Sequence, residues 1–418
     1  MVPAHFEALR MPERIVIVGA GQAGLQAVAT LRAEGFSGAI AMVGDEPYPP
    51  YQRPPLSKAY LMGTLERARL FLKPESFYRE AACELLLGAR AEWIDRHTQR
   101  VILADKRALA YDLLLLATGA RARRIKCDGA GLAGIHYLRS IADVDALQAV
   151  LAPGKRLAVV GGGYIGLEVA AVAVKHGLEV TVFEALERVM ARAVSTPVSD
   201  YFEAVHRAAG VKLVLDTGVD AFEGTDRFAA VRAGGVGHPA DLALVGIGAE
   251  PNVELAARAG IPCRDGIMVD YFCCTADPAV YAAGDCTWHV GREGLPLRLE
   301  SVQNAIDQAK HAAMAMAGKP RPYREVPWFW SDQYDLKLQI AGLARPGDQA
   351  VIRGDPASRK FAVFHLRDGA VAAVEAVNAP AEYLAGRKLI ADGARVPPGR
   401  LADTSILMKN MAQNGRSG

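Results

Sequence analysis

Two glycine patterns stand out for the chemistry they permit. In the first, Gly19, Gly21 and Gly24 of GAGQAG follow the apolar run RIVIV and lead into LQAVATL. In the second, Gly161, Gly163 and Gly166 of GGGYIG follow RLAVV and lead into LEVAAVAV. Glycine at the first, third and sixth places lets a strand turn sharply into a helix. It also lets a pyrophosphate approach the backbone where the first helical amides point outward. An acidic residue about 20 positions further on completes the pattern, because a carboxylate accepts hydrogen bonds from ribose hydroxyls. Asp45, ending AIAMVGD, fills that place for the first copy, and Glu184, ending EVTVFE, for the second. Two complete copies point to two different dinucleotides held by one chain.

Such turns need parallel sheets behind them. YDLLLLATGA, stopped by Thr118 and Gly119, is a continuous apolar run of the kind buried on both faces. LALVGIGAEPN, with its stop at Gly248, repeats the feature after the second glycine pattern. TADPAVYAAGDC reads as a further strand closed by Gly284 and Asp285, and RARRIK (121–126) as a crossover. ESVQNAIDQAKHAAMAMAG reads as an amphipathic helix ended by Gly318 and Pro320. WFWSDQYDLKLQIAGLA reads as strand, and KFAVFHLRDGAVAAVEAV as a hairpin turning at Asp368–Gly369. A helix over AEYLAGRKLIADGA and a flexible polar tail are expected to finish the chain.

A length of 418 residues predicts two or three domains. A net charge of +2 argues neither for nucleic acid nor for a membrane surface as partner, and leaves room for local charged patches. No apolar run approaches the ~20 residues needed to span a bilayer. The opening MVPAHFEALRMPER lacks the apolar core of a secretory signal and reads as a frayed extension, so a cytoplasmic protein is expected. The six cysteines and nine histidines show no metal-ligand spacing, and no metal is expected. Cys273 and Cys274 are adjacent. A vicinal disulfide would be strained, which favours ordinary small side chains at a strand edge.

The order of GAGQAG, RPPLSKAYL, ATGA, GGGYIGLEVA, YAAGDC and WFWSDQYD resembles the FAD-dependent, NADH-linked ferredoxin reductases of bacterial oxygenase systems, nearest the putidaredoxin reductase type. The resemblance covers essentially the whole chain. It implies an α/β, glutathione-reductase-like fold: two Rossmann-type nucleotide-binding domains plus a C-terminal α+β domain. FAD would take residues 1–119 and 249–323, NADH would take 120–248, and the C-terminal domain would span 324–418.

The resemblance also implies roles. Ala23 lies with the Gly19–Gly24 loop on the FAD pyrophosphate, and Asp45 on the adenosine ribose. Arg53 and Lys58 reach towards the flavin. Asp285 takes the ribityl chain, and Val302 lies near the isoalloxazine. Ala91, Thr118, Gly119 and Arg139 are further FAD positions. Tyr164 and Ile165 lie in the nicotinamide-nucleotide turn with Gly161, Gly163 and Gly166, and Gly248 is counted with them. Glu168 sits beside the nicotinamide, paired with Lys58, and Trp330 lies near the flavin edge. Simpler roles compete: Ser57 as a cap with Lys58 solvated, Glu168 as a helix N-terminal anion, Trp330 as packing.

Glu184 is expected to select NADH. Against a 2′-phosphate its charge would be repelled by of order 4 kcal/mol at ~4 Å and a dielectric of 20, unless Arg188 or Arg192 reached that phosphate.

Relatives of this fold often pass electrons to a Cys-x4-Cys pair after the first nucleotide unit. Residues 45–82 hold no cysteine and Cys83 stands alone, so the electrons must go to an outside acceptor. The resemblance implies a [2Fe-2S] ferredoxin feeding a cytochrome P-450 monooxygenase. RARRIK and the Lys319, Arg321, Arg324 linker are candidate docking sites for it. Rival readings are a reductase serving an aromatic-ring dioxygenase, or a rubredoxin-linked alkane hydroxylase. From another class comes a flavin signalling protein similar to apoptosis-inducing factor.

Overall fold

The computed structural model describes residues 12–411. The expected frayed opening falls outside that range up to residue 11, and the end of the polar tail from residue 412. Two compact units are present. The first comprises the described part of Met1–Gln52 with Arg67–Arg121 and Glu250–Pro327. The second comprises Arg53–Glu66, Ala122–Ala249 and Trp328 onward.

The first unit is built on a five-stranded parallel sheet. Its order is Val280–Ala282, Leu113–Leu116, Arg14–Val18, Ala39–Val43, Cys83–Leu86. All of Leu113–Leu116 is buried, which is why that segment carries no polar alternation. From Val18 the chain makes a helix, Gln22–Ala33, and adds its next two sheet strands on one side. Leu113–Leu116 then lands on the other side. Reversal of strand order opens a crevice at the carboxyl ends of the two diverging strands. Here those ends are Val18 and Leu116.

The second unit repeats this device. Its sheet runs Lys212–Val214, Glu179–Phe183, Arg156–Val160, Leu242–Val245, Ile135–His136, all parallel. The equivalent crevice lies between Val160 and Val245.

The same unit holds a five-stranded antiparallel sheet ordered Trp328–Gln333, Leu336–Gly342, Ala370–Val377, Lys360–Arg367, Gln349–Asp355. Asp368 and Gly369 join two of its strands with φ of 51° and 79°, the positive pair that a tight hairpin turn needs. WFWSDQYDLKLQIAGLA is not one strand but a hairpin folded at Tyr334–Asp335. Tyr334 takes φ 56°, a conformation usually left to Gly or Asn, so the turn carries no compositional signal. The segment after Gly393 is not wholly a flexible tail. It forms the short helix Pro398–Ala402, with Leu401 fully buried, and the buried Arg353 guanidinium donates to the carbonyls of Leu401, Asp403 and Ile406.

Candidate functional site

The glycines of each pattern divide by what they do. At Gly19, φ is 127° and an added Cβ would lie 2.0 Å from the Ala117 carbonyl oxygen; at Gly24 it would lie 2.1 Å from that of Gly19. Gly161 and Gly166 repeat these approaches at 2.4 Å and 2.1 Å. These four are required by the chain's own packing.

The middle glycines are not. Gly21 has φ −117° and Gly163 φ −80°, values open to any residue, and nothing lies within 4 Å of an added Cβ. The space at each is a cradle for a group from outside the chain. Behind each cradle the first intrahelical bonds run from Leu25 N to Gly21 O and from Leu167 N to Gly163 O, both 3.0 Å, and no side chain caps either helix. The preceding amides of Gln22–Gly24 and Tyr164–Gly166, Ala23 and Ile165 among them, lie outside the helical ladder and face the cradle end. Both loops fit a dinucleotide pyrophosphate.

In the first unit Asp45 stands two residues past Val43 and is exposed. Thr118 is pinned by Asn252, which no motif spacing marks. Its hydroxyl donates to the Asn252 carbonyl at 2.7 Å, while Asn252 Nδ2 donates to the Thr118 carbonyl at 2.8 Å. Gly119, at φ 64°, accepts from the Asn252 amide at 2.9 Å.

Asp285 follows the edge strand Val280–Ala282, and Val302 begins the helix Val302–Met316 behind its cap Ser301. Gln308 couples these two segments. Its Oε1 accepts from Gly284 N and Thr287 Oγ1, each at 2.8 Å, and its Nε2 lies 3.1 Å from His289 Nδ1. Ala91 opens a separate antiparallel sheet with Arg100–Leu103 and Ala108–Ala110, and is half-buried.

Burial pushes the His289 imidazole down from 6.5 to about 4. Between those values the unfolded chain binds a proton that the folded chain refuses. Stability is therefore expected to fall as pH drops from 6.5 to 4, by about 3 kcal/mol from this one group. Urea midpoints across that range should show it, and His289→Gln should flatten the slope. The buried His206 and the half-buried His136, both lowered first by desolvation, add in the same direction.

In the second unit Glu184 is the first residue past the strand Glu179–Phe183, and its carboxylate is already oriented. Oε2 accepts from Gly162 N at 2.7 Å and Oε1 from Leu186 N at 2.9 Å. Arg188 is engaged elsewhere, donating to the carbonyls of Val194 and Ala191, each at 2.9 Å. Arg192 is exposed. Gly248, at φ 107°, accepts from Arg123 N at 3.0 Å. Ile165 is 41% exposed at the mouth of the second loop.

Lys58 and Glu168 come together 2.7 Å apart, at 20% and 3% side-chain exposure. Ser57, 1% exposed, is not a cap: it ends the 3-10 turn Pro54–Ser57 and its hydroxyl donates to Glu168 Oε2 at 2.5 Å. Ser331 donates to Oε1 at 2.6 Å. Neither serine emerges from motif spacing. Ser331 is signalled only by strand alternation, which sets it on the face opposite Trp330. Trp330 is half-buried and tilted against Trp328 at 5.7 Å. Arg53 donates to the Arg139 carbonyl at 2.6 Å, so these two candidates are neighbours.

The expected docking runs spend much of their charge internally. Arg121 pairs with Glu250 and Glu254, Arg124 stacks 3.9 Å over Tyr137, Lys319 pairs with Glu34, and Arg324 lies over Tyr271. All six cysteines are free. Cys273 and Cys274 are buried beside the edge strand Val280–Ala282, where Cys274 forms an antiparallel bridge with Tyr281 and Ala282 N donates to the Cys273 carbonyl at 3.0 Å.

Residues 13–309 match the family described as pyridine nucleotide-disulphide oxidoreductase, and residues 328–412 the reductase C-terminal domain. The chain belongs to this family, among its ferredoxin reductases. Rhodocoxin reductase of Rhodococcus erythropolis is 47% identical, over 94% of this chain and 93% of that one. Putidaredoxin reductase of Pseudomonas putida is 40% identical over 96% of each. Among solved structures, a covalent putidaredoxin reductase–putidaredoxin complex superposes with a TM-score of 0.94 at 39% identity. It covers 97% of this chain and 99% of its own.

The reductase is thus an FAD- and NAD(P)H-dependent flavoenzyme of glutathione-reductase-like fold. Among its described residues no His, Cys, Asp and Glu group could hold a metal, and no helix is long and apolar enough to cross a membrane.

Proposed function

We propose that the reductase carries electrons from NADH to a [2Fe-2S] ferredoxin that feeds a cytochrome P-450 monooxygenase, and that it works in the cytoplasm. Bound FAD supplies the exchange between a two-electron donor and a one-electron acceptor. The chain's own residues supply alignment and charge.

The observation that carries this reading is the Lys58–Glu168 pair, its carboxylate buried and its ammonium partly exposed, beside the second glycine loop, in a chain with no usable thiol relay. Cys83, the first cysteine, is buried, and burial pushes its thiol up to about 11, so it is a poor nucleophile at neutral pH. In this reading the first loop, with Ala23, Asp45, Ala91, Thr118, Gly119, Asp285 and Val302, holds FAD, and Arg53 and Arg139 add contacts. The second loop, with Tyr164, Ile165 and Gly248, holds the nicotinamide nucleotide. Lys58 and Glu168 flank the nicotinamide as a net-neutral pair that fixes its position without adding charge. Trp330 shapes the acceptor side.

The monooxygenase partner is supported by the likeness to putidaredoxin reductase. Relatives named for anthranilate, chlorobenzene and p-cumate dioxygenase systems stand at 42%, 37% and 38% identity, which makes a dioxygenase system the second reading. NADH-driven reduction of a panel of [2Fe-2S] ferredoxins by the purified protein tests the reading. Efficient turnover with ferredoxins of P-450 systems supports it, and turnover only with dioxygenase ferredoxins overturns the monooxygenase part.

Glu184, held by two amides, presents its remaining lone pairs to both ribose hydroxyls, and Arg188 is not available to a 2′-phosphate. Glu184→Ala is expected to narrow the NADH/NADPH ratio of kcat/KM by at least about tenfold. An unchanged ratio would show that another group makes the choice.

A further inference from the structure

A carboxylate accepts and never donates, so a buried one needs donors on both oxygens. At Glu168, Lys58 Nζ and Ser57 Oγ approach Oε2, at 2.7 Å and 2.5 Å, and leave Oε1 to a group from elsewhere. Ser331 supplies it at 2.6 Å, from the first strand of the C-terminal antiparallel sheet.

The fit is periodic. Residues two apart on one strand face are separated by about 6.6 Å, and residues four apart on a helix by about 6 Å. Phe329 and Ser331 therefore meet Tyr164 and Glu168 in register: the Phe329 and Tyr164 rings lie 4.6 Å apart. The direction of the hydroxyl is also set. Ser331 Oγ accepts from Gln333 Nε2 at 3.3 Å, so its one proton goes to Glu168. Gln333 is in turn located by His206 Nε2 on its Oε1 at 2.8 Å, and Tyr334 OH lies 3.1 Å from His206 Nδ1. Ser331, Gln333 and His206 are all fully or almost fully buried.

We propose that Ser331 is a positioning residue for the nicotinamide step: the C-terminal domain, through Ser331 backed by Gln333 and His206, sets the pose in which the Glu168 carboxylate holds Lys58 and meets the nicotinamide. This rests on the reading of Glu168 as the nicotinamide-facing carboxylate. The C-terminal domain is then part of the hydride-transfer apparatus rather than an appendage to it.

The test uses FAD-loaded wild type, Ser331→Ala, Ser331→Cys, Ser331→Thr and Glu168→Gln in rapid-mixing measurements of flavin reduction by NADH, with crystal structures of the Ser331 variants. Loss of the hydroxyl in Ser331→Ala is expected to lower the limiting rate about tenfold and change the NADH Kd less than about twofold. Glu168 should turn off its present position in the crystal. Threonine, which keeps the hydroxyl, should restore rate and pose. The near-isosteric cysteine gives the same readout as alanine, so the result stands even where alanine does not fold. A wild-type rate with an unmoved Glu168 in both the alanine and cysteine variants overturns the proposal. So does a slow threonine variant with Glu168 in place, which would mark Ser331 as a packing residue only. If Glu168→Gln itself reduces flavin at the wild-type rate, it is the role of Glu168 that fails. A slow Glu168→Gln beside a fast Ser331→Ala removes the positioning role alone.

Discussion

Gly21→Ala is expected to give a folded protein that emerges colourless. The backbone at Gly21 lies at φ −117°, where alanine is at ease, and nothing in the chain stands within 4 Å of the new methyl group. Alanine is a poorer helix N-cap than glycine, at a cost of about 1 kcal/mol, too little to unfold the protein. The methyl group does, however, fill the space through which a pyrophosphate reaches the amides of the helix end. A loss of at least about 100-fold in FAD affinity, about 2.7 kcal/mol, is expected, measured by flavin release and by titration of the stripped protein. Gly163→Ala should keep its flavin and lose affinity for NADH instead. Gly24→Ala is the control of opposite sign: its methyl group would lie 2.1 Å from the Gly19 carbonyl oxygen, so it should damage the fold itself. A Gly21→Ala protein that binds FAD as the wild type does would show that the pyrophosphate lies elsewhere.

The second large effect separates stability from catalysis at one ion pair. Lys58→Met leaves the Glu168 carboxylate, 3% exposed, without its cation. Breaking a buried pair from one side costs about 3–5 kcal/mol. Lys58 is itself partly exposed, which places the expectation at the lower end, about 3 kcal/mol by urea unfolding. In Lys58→Met/Glu168→Gln the amide still accepts from Ser57 or Ser331 and no charge is stranded, so most of that stability should return. Flavin reduction by NADH should not return. It should stay at least about 100-fold slow in both proteins, the usual consequence of removing a preorganised charge from a site. Recovery of rate together with stability in the double variant would mean that the pair serves the fold and not the reaction.

Much of this protein is legible in its sequence because the relevant signals are local. The two glycine patterns act within six residues of chain, and the strands feeding them are uninterrupted apolar runs. The Asp368–Gly369 turn supplies its own positive-φ residue. Where the signal is not local, reading from the chain fails. The turn at Tyr334–Asp335 has no glycine or asparagine, so one strand was expected where two stand. The segment around Leu401 looks like polar tail because the guanidinium that binds its carbonyls, Arg353, belongs to a strand far back in the chain. Asn252 and Gln308, which pin Thr118 and Gly284, are amides with no motif around them, and their partners lie far off in sequence.

By itself the sequence determined two glycine loops of the dinucleotide pattern, an acidic residue to accompany each, and the want of a cysteine pair after the first of them. These follow from residue type and short spacing, since backbone conformation and thiol chemistry are properties of a few consecutive residues. Only the tertiary structure decided which glycines the chain needs for its own packing and which it leaves open to a ligand. It alone decided that Glu184 is held by amides while Arg188 is spent on carbonyls, and that Ser57, Lys58 and Ser331 converge on Glu168. Those outcomes depend on distances between segments that are remote in sequence. A buried charge takes its donors from wherever the fold brings them, and no spacing along the chain encodes that.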